Sequence, residues 1–305
     1  MAEPAGVRER VYTHSPVQGV LWMLLAAGFF SIAAGLVRHI ALTIDAFEQT
    51  FFRQFLGMLI LLPFMWRNGL AGFRTYQIKT NLIRNVAGYM GISLSFYSLT
   101  LIPLAEAITL QSTLPMFTIV MAALLLGERV GAHRWAALVF GFLGAVVILR
   151  PGFAAISFGM MVALASAMCF GVSDTLARKL SGTDSTAVIV FYSFALQVPL
   201  ALAVAAFHWV WPSAEDWLWL LALGFVSFGA QWSLSRAFVL AEASLVSPGL
   251  FARLPFVALI GFVFFGEVPD VWVWVGAAII FGATTYSAQR EAMRHRMRRA
   301  EIAGE

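Results

Sequence analysis

Ten long apolar runs dominate this chain. They cover about residues 17–37, 46–66, 81–99, 104–126, 134–150, 157–177, 186–209, 217–237, 242–265 and 271–288. A helix needs roughly 20 mostly apolar residues to cross the hydrocarbon of a bilayer. Most of these runs reach that length, and none shows the sustained period-two alternation of a barrel strand. Short turn-like segments join them, among them Leu101-Ile102-Pro103, Pro151-Gly152, Trp211-Pro212 and the stretch from Gly266 to Asp270. The expected fold is all-α and integral to a membrane, with ten transmembrane helices. Composition agrees. The chain is 60% apolar and 12% charged, against about 45–50% and about 25% for an ordinary soluble domain. This excludes a soluble globular enzyme and a disordered chain. The first run is too long for a secretory leader and lacks a small-residue cleavage site, so it reads as a true span.

Charge orients the spans. Of the 20 Lys and Arg residues, sixteen fall in the tails, in the segments after even-numbered spans or at the span ends that adjoin those segments. Arg38 and Arg150 fall on the opposite side, and Arg53 and Arg253 fall inside spans. The positive-inside rule then places the N-terminal tail (1–16) and the basic C-terminal tail (289–305) in the cytoplasm. An even number of spans is what that requires. The tail arginines read as an anchor against membrane lipid rather than as a nucleic-acid patch.

The chain also repeats itself. At a shift of 140, Gly19, Phe30, Leu36 and Arg38 fall on Gly159, Phe170, Leu176 and Arg178. At 136, Leu104-Ala105-Glu106-Ala107 falls on Leu240-Ala241-Glu242-Ala243, and Gly88 on Gly224. At 139, Gly127-Glu128 falls on Gly266-Glu267, and Trp135 on Trp274. Residues 17–150 and 157–288 are thus two five-helix repeats. Five is odd, so the second repeat is inverted relative to the first. One sequence packed against its inverted copy has two near-equivalent arrangements, which is a recurrent device of secondary transporters.

These repeats carry a resemblance. Each ends in an apolar helix, Gly-Glu and a Trp-led helix: Leu110 through Leu126-Gly127-Glu128 and Trp135, then Ser247-Pro248 through Phe265-Gly266-Glu267, Trp272 and Trp274. The pattern resembles the ten-span EamA-type transporters of the drug/metabolite transporter superfamily. The resemblance implies a transporter of a small metabolite, such as an amino acid, a vitamin or a drug. Many relatives carry Glu-Pro in the ninth span, where this chain has Leu254-Pro255 after Arg253.

Charged groups inside spans cost about 2.5–3.5 kcal/mol each at the helix centre, so each needs a reason. Arg253 lies near the middle of the ninth span, where snorkelling is hard. It is expected to face a partner such as Asp174 or an acidic group on a substrate. Arg53 reads as structural, snorkelling or paired with Glu48 five residues earlier, with substrate contact as the competing reading. Asp174 precedes Arg178 by four residues, a helix-stabilising spacing, and could otherwise meet a substrate amine or a proton. Glu106 and Glu242 open long helices, where the helix dipole favours a carboxylate. Their competing reading is proton coupling.

Among uncharged residues, Tyr89, Ser93 and Tyr97 share one helix face. Gln111, Ser112, Trp22, Gln231 and Trp232 complete a polar and aromatic set. Such residues ordinarily join helices, and some could line a site and stack on a planar ligand. The candidate substrate-binding set is therefore Trp22, Tyr89, Ser93, Tyr97, Gln111, Ser112, Asp174, Gln231, Trp232 and Arg253.

Catalytic, metal and cofactor signals are absent from the sequence. The single cysteine, Cys169, excludes a disulfide framework. The five histidines are scattered, and neither a P-loop nor HExxH occurs. The expected function is secondary transport, more as exporter than importer, of a small amphipathic or aromatic metabolite, without enzyme activity. Import of a cofactor precursor such as riboflavin is the alternative within the resemblance. A membrane-embedded lipid-modifying enzyme is the rival class, and it would need clustered carboxylates or histidines. Eighteen Arg against two Lys suggest a GC-rich bacterial genome and hence the cytoplasmic (inner) membrane. A proton or another ion is a candidate coupling partner. The protein is expected as a monomer or homodimer.

Overall fold

A computed structural model of the chain describes residues 16–66, 75, 77–127, 132–150, 156–180, 183–184, 186–240 and 247–303. Eleven α-helices and one 3-10 segment fill almost all of it, and no strand occurs among the described residues. The helices are α1 (Pro16–Ile40), α2 (Ala46–Trp66), α3 (Ile78–Leu101), α4 (Leu104–Gln111), α5 (Leu114–Leu126) and α6 (Ala132–Leu149). Then follow α7 (Phe158–Leu180), α8 (Thr186–Ala205), α9 (Ala214–Leu240), the 3-10 segment Ser247–Ala252, α10 (Arg253–Phe265) and α11 (Val271–Ala303). These are ten apolar runs with the fourth and ninth each broken. Four of the helical stretches are, by length and composition, long and apolar enough to cross a membrane: Val17–Ile40, Leu104–Leu126, Phe158–Ala177 and Ala214–Leu234.

Proline explains both breaks. Pro115 has no N–H for the Gln111 carbonyl four residues back, and its ring crowds that carbonyl; α4 stops at Gln111. Pro255 stands in the same relation to Phe251, and the 3-10 segment gives way to α10 at Arg253. Beyond the breaks the two halves run alike. α5 and α10 are each 13 residues long, and each ends on a glycine with φ +66°, Gly127 and Gly266. That left-handed stop suits glycine because other residues strain there. α11 runs past the expected end at 288, because its tail is rich in Arg, Ala, Met and Glu and holds no breaker.

The main packing pairs are α1 with α9, α2 with α8, α3 with α7 and α6 with α11. α6 and α11 approach most closely at Gly144 and Gly276, where a Cβ on either would fall within 3 Å of the other's carbonyl oxygen. Small residues permit that approach. One end of the bundle is tied by ion pairs. The Arg38 guanidinium, at the end of α1, meets Glu267 at 2.7 Å. It also donates to the carbonyls of Leu99 (2.8 Å) and Ile102 (2.6 Å) at the end of α3. The Leu104 N–H, opening α4, donates to the other Glu267 oxygen at 2.8 Å. Arg150 meets Asp270 at 2.6 Å, from a left-handed backbone (φ +44°) that closes α6. At the same end, the Thr43 hydroxyl donates to Asp216 at 2.6 Å.

Candidate functional site

The polar interior of the bundle is held mostly by neutral groups. Gln54 on α2 donates to the Gln197 side chain on α8, and the Gln197 amide donates to Asn85 on α3 at 3.2 Å. The Asn85 amide donates to the Asn81 carbonyl at 2.8 Å. Asn81 in turn donates to Thr75 at 2.8 Å and to Asp184 at 3.3 Å, and Thr75 donates to Asp184. The four amide side chains are buried. The chain of bonds runs from the middle of α2 to the turn after α7, and it crosses between the first and second halves of the sequence. None of these four residues is among the candidates that the sequence offers. The signal was available as carboxamides in apolar runs, but a lone amide in a span reads as glue.

Arg53 hangs on the upper end of this chain. Its guanidinium donates to the Gln54 side-chain oxygen at 2.7 Å and lies over the Phe96 ring at 6.0 Å. The expected partner, Glu48, is elsewhere: one of its carboxylate oxygens accepts from the Val210 N–H at 3.1 Å, and the other is buried without a partner. Arg253 opens α10 and lies over the Phe30 ring at 5.6 Å. The Ser31 hydroxyl lies 3.1 Å from its carbonyl oxygen. Its Nε is buried and unbonded, while the side chain as a whole is only half-buried.

Neither guanidinium meets a carboxylate among the described residues. Three arginines elsewhere in the bundle differ, two of them at helix ends. Arg38 has Glu267, Arg150 has Asp270, and Arg84 on α3 has Asp174 within electrostatic reach. A cation–π contact returns about 0.5–2 kcal/mol, less than the ~2.5–3.5 kcal/mol that an arginine costs at the centre of a span. Arg53 and Arg253 therefore carry positive charge that the described residues leave uncompensated.

The remaining candidates fall into separate places. Tyr89 and Ser93 are buried neighbours on α3, and neither hydroxyl makes a well-formed hydrogen bond. Tyr97, two turns from Tyr89, packs on Phe47 (5.8 Å) and Phe158 (6.4 Å). Gln111 joins α4 to α3, accepting from Ser95 and donating to Ser98, both at 3.0 Å. The Ser112 hydroxyl donates back to the Ile108 carbonyl at 2.8 Å, inside its own helix. Trp22 sits in a side cluster with Val20, Met23, Leu234 and Leu250. Gln231 and Trp232 are exposed on α9, and Trp232 stacks on Phe228 at 6.1 Å. Asp174 is exposed on α7, facing Arg84 rather than Arg253. Glu106 lies close to Arg150 and Asp270 at the ion-paired end, with one oxygen buried and unbonded. Glu242 lies outside the described residues. No cluster of metal-binding side chains occurs among the described residues.

Residues 17–150 and 157–288 each match the EamA-like transporter family. The chain belongs to that family. Its relatives match over nearly their full lengths. A riboflavin transporter of Vibrio cholerae is 31% identical over 94% of this chain and 98% of its own. A pseudopaline exporter of Pseudomonas aeruginosa is 34% identical over 86% and 93%. An S-adenosylmethionine uptake transporter of Rickettsia prowazekii is 28% identical over 88% and 92%. This EamA-type protein is a multi-pass membrane transporter of a small metabolite.

Proposed function

We propose that the protein is a secondary transporter in a bacterial cytoplasmic membrane, with both termini inside. It moves a small amphipathic metabolite bearing an acidic group by alternating access. The observation that carries this reading is Arg253, a half-buried guanidinium at the break of the ninth run with no acid beside it among the described residues. Its α10 position mirrors Leu114 of α5 at a shift of 139, so the charge is specific to one repeat.

Helix pairing supports two inverted repeats. Exchanging each helical run for its partner five runs away turns the α1–α9 pair into the α7–α3 pair. It returns α2–α8 and α6–α11 to themselves. In this arrangement the Arg38–Glu267 and Arg150–Asp270 pairs close the end facing away from the cytoplasm, and transport requires their release. Export is the proposed direction, since the relative named as an exporter is 34% identical and the one named for uptake 28%. Glu106, beside the Arg150–Asp270 pair, is placed to couple a proton to that release.

Counterflow in proteoliposomes tests this reading, using a panel of amino-acid-derived, vitamin and aromatic acids. The expected result is saturable exchange of at least one member. Arg253→Gln is expected to weaken it, and Glu106→Gln to remove its pH dependence. Turnover of a lipid with no flux of any solute would overturn it.

A further inference from the structure

Arg53 shares the condition of Arg253, a guanidinium whose charge the described residues leave open. Resting on the transport reading above, we infer that Arg53 and Arg253 together bind a substrate carrying two acidic groups. Each guanidinium holds one of them, and the apolar middle of the substrate lies between Phe30 and Phe96. Arg53 is fixed in place by neutral amides. Gln54 holds its Nη1, and Gln197 and Asn85 hold Gln54. Neutral holders orient a guanidinium without cancelling its charge, so the pairing with an anion is left to a ligand. Arg253 likewise has no acid beside it among the described residues, and the Phe30 ring lies by its guanidinium. Arg38 and Arg150 at helix ends, and Arg84 on α3, each have an acid.

The depths of the two charges set the spacing. Arg53 lies seven residues from the start of α2 at Ala46, ~10 Å from the ion-paired end at the helical rise of ~1.5 Å per residue. Arg253 lies twelve residues from the end of α10 at Phe265, ~18 Å from the same end. Their aromatic partners agree. Phe96 is five residues from the end of α3 at Leu101, and Phe30 is ten from the end of α1 at Ile40, ~7 Å and ~15 Å deep. Both estimates separate the two residue levels by ~8 Å along the bundle axis, to which any sideways offset adds. Two carboxylates at the ends of a short apolar chain can each meet one guanidinium across that distance. α1 packs on both α3 and the helix that Arg253 opens, which places both aromatic rings on neighbouring elements.

Linear alkane dicarboxylates test the proposal in the purified full-length protein. Binding is measured by calorimetry and by the shift in melting temperature. Suberate is expected to bind more tightly than octanoate, which offers a carboxylate to only one guanidinium. Suberate monoamide is expected to bind about tenfold more weakly than suberate, the loss of one charge-assisted contact, and the diamide weaker again. Arg53→Gln and Arg253→Gln should each abolish the advantage of suberate over its monoamide. The amide series on the unaltered protein carries the test if either variant fails to fold. Equal affinity for diacid and monoamide, undiminished suberate binding in Arg53→Gln, or no binding of any diacid would overturn the proposal. Suberate binding without flux of any metabolite would overturn the transport reading alone. Flux of a neutral metabolite by a protein that ignores suberate would overturn the charge pairing alone.

Discussion

Arg38 and Arg53 stand fifteen positions apart in the first repeat, and the molecule treats them in opposite ways. Arg38 closes an ionic network at one end of the bundle, where Glu267 neutralises it and two carbonyls accept its second nitrogen. Arg53 is held in the interior by a ladder of carboxamides that orient it and leave its charge intact. Both networks tie the first half of the sequence to the second. Only the ionic one is electrically complete. An end that must open and close is well served by pairs that exchange partners with water, and a binding group is well served by holders that do not compete with the ligand.

The largest effect is expected at the ionic end. Arg38→Gln leaves Glu267 short of its cation and removes the donor to the Leu99 and Ile102 carbonyls. The pair is partly buried, so the cost falls at about 2–3 kcal/mol, between the ~0–1 of exposed pairs and the ~3–5 of buried ones. Melting of the purified protein in detergent reads it. The double variant Arg38→Gln with Glu267→Gln should recover at least half the loss, because the second substitution removes the carboxylate that the first leaves unpaired. A double variant as unstable as the sum of the two singles would mean that the pair is not coupled.

Gln197→Leu tests the ladder. It strands the Gln54 amide and the Asn85 side-chain oxygen, at about 1–3 kcal/mol for a buried polar group without its partner. This loss should not vary with salt, because neutral amides have no screened Coulomb term. The Arg38→Gln loss should shrink at about 1 M salt, where the screening length falls to about 3 Å. Equal salt dependence of the two variants would erase the distinction between the networks. A third substitution probes what aims Glu267. Gly266→Ala has open space for its Cβ, so its cost is the strain of a left-handed alanine, about 1–2 kcal/mol. Gly127→Ala, at the matching position, should cost the same in strain. A larger loss at Gly266 would measure the displacement of Glu267 from Arg38.

How much of this could be read from the sequence follows from the range of each interaction. The helical runs and the glycine stops are local, set by residues within four positions of each other, and they are legible. The proline breaks are equally local, yet 104–126 and 242–265 read as unbroken spans. The expected Glu48–Arg53 and Asp174–Arg178 pairings are also local arguments. Tertiary contacts redirect the first, with Glu48 turning to Val210 and Arg53 to Gln54, and they bring Asp174 within reach of Arg84, while the Arg178 side chain lies outside the described residues. The ladder was invisible for the same reason. Gln54 and Gln197 lie 143 residues apart, and Asn81 and Asp184 lie 103 apart. No spacing rule links carboxamides at that range. What the sequence did carry was the anomaly of Arg253, because a charge in mid-span is costly whatever its surroundings.

The smallest effect lies at the rim of the ionic end and separates surface charge from the two buried networks. Asp216 precedes the apolar run that begins at 217, and its side chain is exposed. It accepts hydrogen bonds from the Ser213 and Thr43 hydroxyls, both at 2.6 Å. Because Asp216 is exposed to solvent, Asp216→Asn should lower the melting temperature only slightly, by well below the loss in Arg38→Gln. A loss comparable to that of Arg38→Gln would give the Thr43 bridge a share in keeping that end closed.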